Sequence, residues 1–316
     1  MINFRFHVVS IVAVFLALAL GVVIGSTVVD RAIVSSLRNR IDRVERNADA
    51  RQAENEALRT ELGQRNATIA AASPFSVTGR LTGVSVAILV EPGVAPDAVE
   101  NLVALTRTAG STVGGVVDIT DAWDDDSRSN ALRTATRVEV RGPRRVRAAA
   151  WEVLARRLAE GVAADPADDV LARLDEAGFI AYRGIGDVPE SAPAYPASWP
   201  GAGARSVYVV RPDAAPAAEQ AARTAARATA LAEAGVETTA AEDHRDADGV
   251  PSRGVVLANV RDDEGLRVRL STVDDFDLVD GRIATVLATA DLGRDVTGRY
   301  GFGAGAEAPM PAWWVP

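Results

Sequence analysis

Cysteine and lysine are both absent from the 316 residues, and histidine and methionine occur only twice each. Without cysteine there is no disulfide framework and no thiolate chemistry, whichever compartment holds the chain. Without lysine no Walker A phosphate loop can be written, and the segment after the first apolar strand, Glu91-Pro92-Gly93, is not a dinucleotide fingerprint. All 34 basic residues are arginine, and with the abundant alanine this pattern points to a GC-rich genome. No G-x-S-x-G elbow occurs, and a Ser-His-Asp triad would have to use His7 or His244. The formal charge of −9 argues against a nucleic-acid partner.

What is present begins with grease. Val8 to Val29 carry no charge, and twenty-two helical residues span ~33 Å, enough for a bilayer core of about 30 Å. A cleaved signal peptide is the rival reading, with Arg5 as its basic region and Ala17-Leu18-Ala19 as its cleavage site. Signal cores run only about 7–15 residues, so the length favours an uncleaved anchor, residues 1–30. Ala13, Ala17, Gly21 and Gly25 recur every fourth residue, and small residues at that spacing let two membrane helices approach closely. Orientation stays open: Arg5 precedes the segment and Arg31, Arg38, Arg40 and Arg43 follow it, which read literally keeps the C-terminal part in the cytoplasm.

Residues 31–73 read as a coiled-coil stalk. Val34, Ile41, Ala48, Asn55, Leu62 and Ile69 fall at a positions, and Leu37, Val44, Arg51, Leu58 and Arg65 at d. Asn55 would set register and oligomer state, while Arg51 and Arg65 weaken the seam. A single helix lying on the globular domain is the alternative; five heptads with only two poor d positions favour a parallel homodimer, and Pro74 is expected to end the helix.

Residues 80–306 alternate uniformly apolar runs with amphipathic segments. Val84–Val90, Thr112–Ile119, Ser206–Val210, "VETTA", "GVVLANV" (254–260) and "GFIAY" read as strands; 96–110, 144–161, 166–177 and 215–234 read as helices. "DAWDDDSRSN" and "GDVPESAPAYPASWPGAGA" read as loops, the second as a mobile one. Apolar strands between helices predict an α/β domain with a doubly wound, mostly parallel Rossmann- or flavodoxin-like sheet. They do not alternate apolar and polar as the strands of an outer-membrane barrel do. Residues 307–316 are expected to be a flexible tail.

"STVDDFDLVDGRI" places Asp274, Asp275, Asp277 and Asp280 within seven residues. An EF-hand would need an acid or amide at Val279 and a closing glutamate, and both are missing. Asp280 instead suits an N-cap for the following helix, with Asp277 near its positive end and "LRVRLS" as the preceding strand. A cap leaves Asp274 and Asp275 unexplained. His244, in a polar stretch, reads as a surface histidine. "GRYGFGAGA" reads as a tight closing segment whose glycines allow positive φ or close backbone approach.

The anchor "HVVSIVAVFLALALGVVIGS", the arginine-rich heptads, "STVDDFDLVDGRIATVLATADL" and "GRYGFGAGA" together resemble the actinobacterial copper transport protein B family, over residues 3–306. The motif positions carrying the likeness are Ser271, Thr272, Asp274, Asp275, Asp277, Gly281, Arg282, Tyr300 and Gly301. The resemblance implies a pore-forming envelope protein linked to copper export or tolerance, similar also to membrane components that work with a partner protein in cell separation. It implies a single-pass cell-membrane protein with its C-terminal domain outside the plasma membrane. Copper is implied by resemblance alone; protein copper sites use Cys, Met or His, and the globular part offers His244 and Met310. The expectation is a non-catalytic protein without a bound cofactor.

Overall fold

The computed structural model describes residues 4–161, 168–183, 201–213, 216–244 and 252–312, for residues 26–36, 38, 39 and 113 as backbone alone. The chain forms two compact units, Met1–Asn66 and Ala67–Pro316. The proline-rich stretch around 190 lies outside the described residues, as does the start of the helix expected from residue 166.

The first unit is helical. Helix α1 runs Phe4–Val77. Phe4–Gly25 is long and apolar enough to cross a membrane, and none of its residues is buried within the chain. From Leu37 to Leu62 the apolar heptad positions are exposed too. Pro74 does not end the helix but sits inside it. Its missing N–H leaves the Ala70 carbonyl without the usual helical donor, and the Ser73 hydroxyl donates there instead at 2.7 Å. Ile69, assigned to the stalk seam, belongs to the second unit and packs against that unit's own core.

The second unit is an α/β fold around a seven-stranded sheet, ordered β3-β2-β1-β4-β5-β6-β7. In chain order its elements are β1 (Ser85–Val90), α2 (Pro96–Thr108), β2 (Thr112–Ile119), α3 (Ser129–Thr136), α4 (Pro143–Glu160) and α5 (Val170–Glu176). Then come β3 (Ile180–Arg183), β4 (Arg205–Val210), α6 (Ala217–Glu233) and β5 (Thr238–Glu242). The last are α7 (Ala258–Asp262), α8 (Glu264–Arg267), β6 (Leu270–Val273), α9 (Val279–Leu292) and β7 (Arg299–Tyr300). Every pairing is parallel except β2 with β3.

The period-two geometry of strands sorts the core into two layers. Val86, Ile88 and Val90 of β1 join a cluster with α2 and α9. Ala87 and Leu89 face a second cluster built from α3, α4, α5 and α6 around Trp123 and Trp151. Helices therefore cover both faces, which is why the strands are apolar without alternation.

Three local readings are overturned. "GVVLANV" is a pair of turns running into α7, with Val256 and Leu257 buried; a short apolar run suits a buried helix start as well as a strand. "LRVRLS" splits, because the Asp263 carboxylate caps α8 by accepting from the Gly265 and Leu266 N–H groups. "DAWDDDSRSN" holds two 3-10 turns and the start of α3, pinned by Trp123, which is 1% exposed.

Candidate functional site

The strands β1, β2, β4, β5 and β6 all deliver their carboxyl ends to one edge, and acidic residues follow each: Glu91, Asp121, Asp213, Asp243 and Asp274. In open α/β sheets this is the edge where ligands bind. It divides into a closed knot beyond β5 and β6 and an open cleft beyond β1 and β4.

The knot is built on Asp274, which is fully buried. Its carboxylate accepts from Arg261 Nη1 at 2.8 Å, from the Phe302 N–H at 2.9 Å and from the Gly303 N–H at 3.0 Å. Arg261 in turn donates to Thr272 Oγ1 at 3.0 Å and to the carbonyls of Tyr300 (2.9 Å) and Ala304 (2.6 Å). The aspartate-rich stretch and the glycine-rich segment thus form one unit. Gly301 has φ 118°, and a side chain there would overlap the Asp274 carboxylate. Gly303 has no room either, facing the Arg253 carbonyl.

Around this pair the other motif residues close the turn. Arg253 grips Asp277 through both oxygens (2.5 and 2.9 Å) and donates to the Asp274 carbonyl at 2.8 Å. Arg282 donates to Asn101 Oδ1 of α2 at 2.7 Å and to the carbonyls of Phe276 and Asp277, both at 3.0 Å. Gly281 lies against the Asp275 carbonyl, with no space for a Cβ. Ser271, Thr272 and Tyr300 are buried beside them. Asp280 is not the helix cap: α9 starts at Val279 after Leu278, and Asp280 sits within the first turn. Asp277 is spent on Arg253.

Two carboxyls stand apart from this pairing. Asp275 is 1% exposed and neither of its oxygens has a hydrogen-bond partner among the described residues. Burial pushes it up to about 7, with the charges of Asp280 and Asp274 adding to the shift and Arg253 opposing it. Glu242, at the end of β5, accepts from the Gly254 N–H at 2.9 Å through one oxygen, while the other has no partner among the described residues. Burial raises it to about 7, the Gly254 bond pulling the other way. His244 is not a surface residue: it is 3% exposed, with Nδ1 3.5 Å from Glu242. Asp243 accepts from the Ala95 N–H at 3.0 Å and ties β5 to the start of α2. Glu242, Arg253 and Arg261 were missed from sequence; the run "AEDH" across the end of β5 was a signal for the first of them.

The cleft lies beyond β1, flanked by β2 on one side and β4 on the other, where the strand order reverses. It encloses about 410 Å³ between Glu91, Gly93, Asp121, Tyr208, Arg211 and Arg223. Its wall includes Glu91, which pairs with the buried Arg227 behind it and accepts a 2.6 Å hydrogen bond from the Tyr208 hydroxyl. Burial alone would lower Arg227, yet Glu91, Tyr208 and Asp124 hold it above its ordinary value. Arg227 also stacks over Trp151 at 4.9 Å.

Chemically, Asp274, Asp277 and Glu91 are answered by arginines, while Asp275 has no hydrogen-bond partner among the described residues. Among the described residues, no three His, Asp or Glu are grouped so as to hold a metal ion. In the first unit, a Cβ added at Gly21 or Gly25 would meet nothing within 4 Å, and Asn55 is exposed. Ala13 and Ala17 lie exposed with them on the apolar segment.

The architecture is that of an α/β protein preceded by one helix fit to cross a membrane. One protein family, described as "Copper transport outer membrane protein, MctB", matches residues 1–311. The chain is 31% identical over 332 residues to the copper transporter MctB of Mycobacterium tuberculosis, covering 97% of this chain and 98% of the relative. The Mycobacterium bovis protein of that name gives the same figures. The Mycobacterium leprae one is 29% identical over 347 residues, with 98% of each chain covered. The chain belongs to the MctB family of copper transport outer membrane proteins. The match runs past residue 306 and takes in the start of the expected tail, where Ala308 accepts from the Gly301 N–H at 3.0 Å.

Proposed function

We propose that this chain is a non-catalytic, single-pass envelope protein that serves copper export or tolerance, with its α/β unit outside the plasma membrane and its helices paired as a homodimer. One observation carries the reading: the family match spans residues 1–311 and includes the apolar helix segment Phe4–Gly25, none of whose residues is buried within the chain. Leaving that much apolar surface in water is costly, at roughly 25 cal/mol per Å², and lipid removes the cost. The relatives' name, copper transporter, supplies the cargo. The proposed role does not require the α/β unit to bind copper.

A second reading is favoured by the chemistry of the edge. Asp274 and Asp277 are each paired with an arginine inside the unit, a closed packing in keeping with a scaffold or regulator that recruits a partner protein for cell separation or wall remodelling. A deletion strain separates the two. Copper hypersensitivity with normal cell shape, reversed by the intact gene, supports the first; chained cells at ordinary copper support the second. Wild-type growth under both conditions overturns both.

A further inference from the structure

Between Arg40 and Asn66, helix α1 leaves its apolar positions in the open: Ile41 is 46% exposed, Val44 67%, Leu58 50% and Leu62 58%. These fall at a and d of one heptad frame, so they form a single stripe along the helix. What flanks the stripe identifies its occupant. In a parallel pair, each g residue meets the e residue five positions on in the partner. Here those pairs are Arg40 with Glu45, Asn47 with Gln52, Glu54 with Arg59, and Glu61 with Asn66. Two are opposite charges, two are neutral or singly charged, and none sets like charges together.

Direction follows from Asn55. At an a position it meets its own copy only when the helices run parallel and in register, so each buried amide finds a hydrogen-bonding partner. An antiparallel pair would set it against a d residue, which is valine, arginine or leucine, none of which offers the buried amide a matching amide partner. Arg51 and Arg65 at d are the cost of this seam; Arg65 is already engaged by Glu61 of its own helix at 2.6 Å, and both can lay their stems along the seam with heads in water.

We propose that residues 40–66 form a parallel, in-register two-stranded coil with a second copy of this chain, fixed by Asn55 and by the Arg40–Glu45 and Glu54–Arg59 pairs across the seam. This deepens the homodimer of the reading above and rests on it only for the shared direction imposed by one membrane.

The absence of native cysteine gives a clean test in the full-length chain, in isolated membranes. Under mild oxidation Val44→Cys, at d, is expected to form a covalent dimer, whereas Asp49→Cys, at b, is not. Glu54→Arg alone and Arg59→Glu alone should each weaken association about tenfold, the summed effect of two ion pairs per dimer turned repulsive. The double variant should restore it. Equal cross-linking at 44 and 49, none at 44, or no rescue by the double variant would overturn the register. If the chain is absent from the membrane fraction, the anchored reading fails instead; cross-linking in the soluble fraction then decides the coil by the same criteria.

Discussion

The helix between Leu37 and Leu62 and the knot beyond β6 are opposite solutions for the same residue types. In the knot, a buried aspartate and a buried arginine satisfy each other and the backbone around them, and the glycines exist to let that happen. Along the helix, apolar side chains are exposed, and in the proposed coil the flanking charges meet those of a second copy. The contrast shows where the molecule has capacity to spare: the knot is closed upon itself, and the helix is not.

The sharpest way to break that contrast is to remove Asp274. Asp274→Ala would leave Arg261, 2% exposed, without its counter-charge and strip the acceptor from two backbone N–H groups. Losing one partner of a buried pair costs about 3–5 kcal/mol, to be read by urea unfolding of the full chain. A loss under 1 kcal/mol would mean that the knot is less closed than described.

The orphaned carboxyls give a pH dependence next in size. Asp275 and Glu242 are both raised to about 7 in the folded chain, against about 4 when unfolded. The folded state then binds the extra protons, so this contribution is whole below about pH 4 and is lost as pH rises toward 7. For Asp275 alone the swing is on the order of 4 kcal/mol, at about 1.4 kcal/mol per unit. Melting from pH 4 to 8 for wild type, Asp275→Asn and Glu242→Gln checks it, the difference between profiles isolating each group. Parallel profiles would contradict the assignment.

Asp277→Ala should cost about 1–2 kcal/mol, since the two-point grip of Arg253 is charge-assisted but partly wet. At the bottom of the scale, Glu61→Ala in the exposed helix removes an ion pair with side chains 71% and 54% exposed. Its effect on the stability of the α/β unit should stay below about 0.5 kcal/mol.

The sequence revealed the two regions unequally. Heptads and the charge-free segment are local patterns, so the exposed helix could be traced residue by residue. The alternating apolar runs likewise disclosed a mostly parallel sheet with helices. The knot could not be assembled, because its central bond joins Arg261 and Asp274 to a glycine-rich segment 28 residues further on, with short helices where strands were expected. The glycines were read correctly as permitting close approach, though what approaches them is invisible locally. His244 misled for a related reason: a polar neighbourhood in sequence says little about burial when β5 carries it under the edge. The antiparallel strand β3 offers no local sign of its direction. Pro74 misled because a neighbouring serine can take over the carbonyl that proline leaves bare.

The proposed tether holds the α/β unit beyond the membrane. Thr108, exposed on α2, can be replaced by cysteine in this otherwise thiol-free chain and intact cells treated with a small, charged, membrane-impermeant thiol reagent. Labelling before lysis is the predicted result. Labelling that appears only after the cells are broken would place the unit in the cytoplasm and contradict the tether.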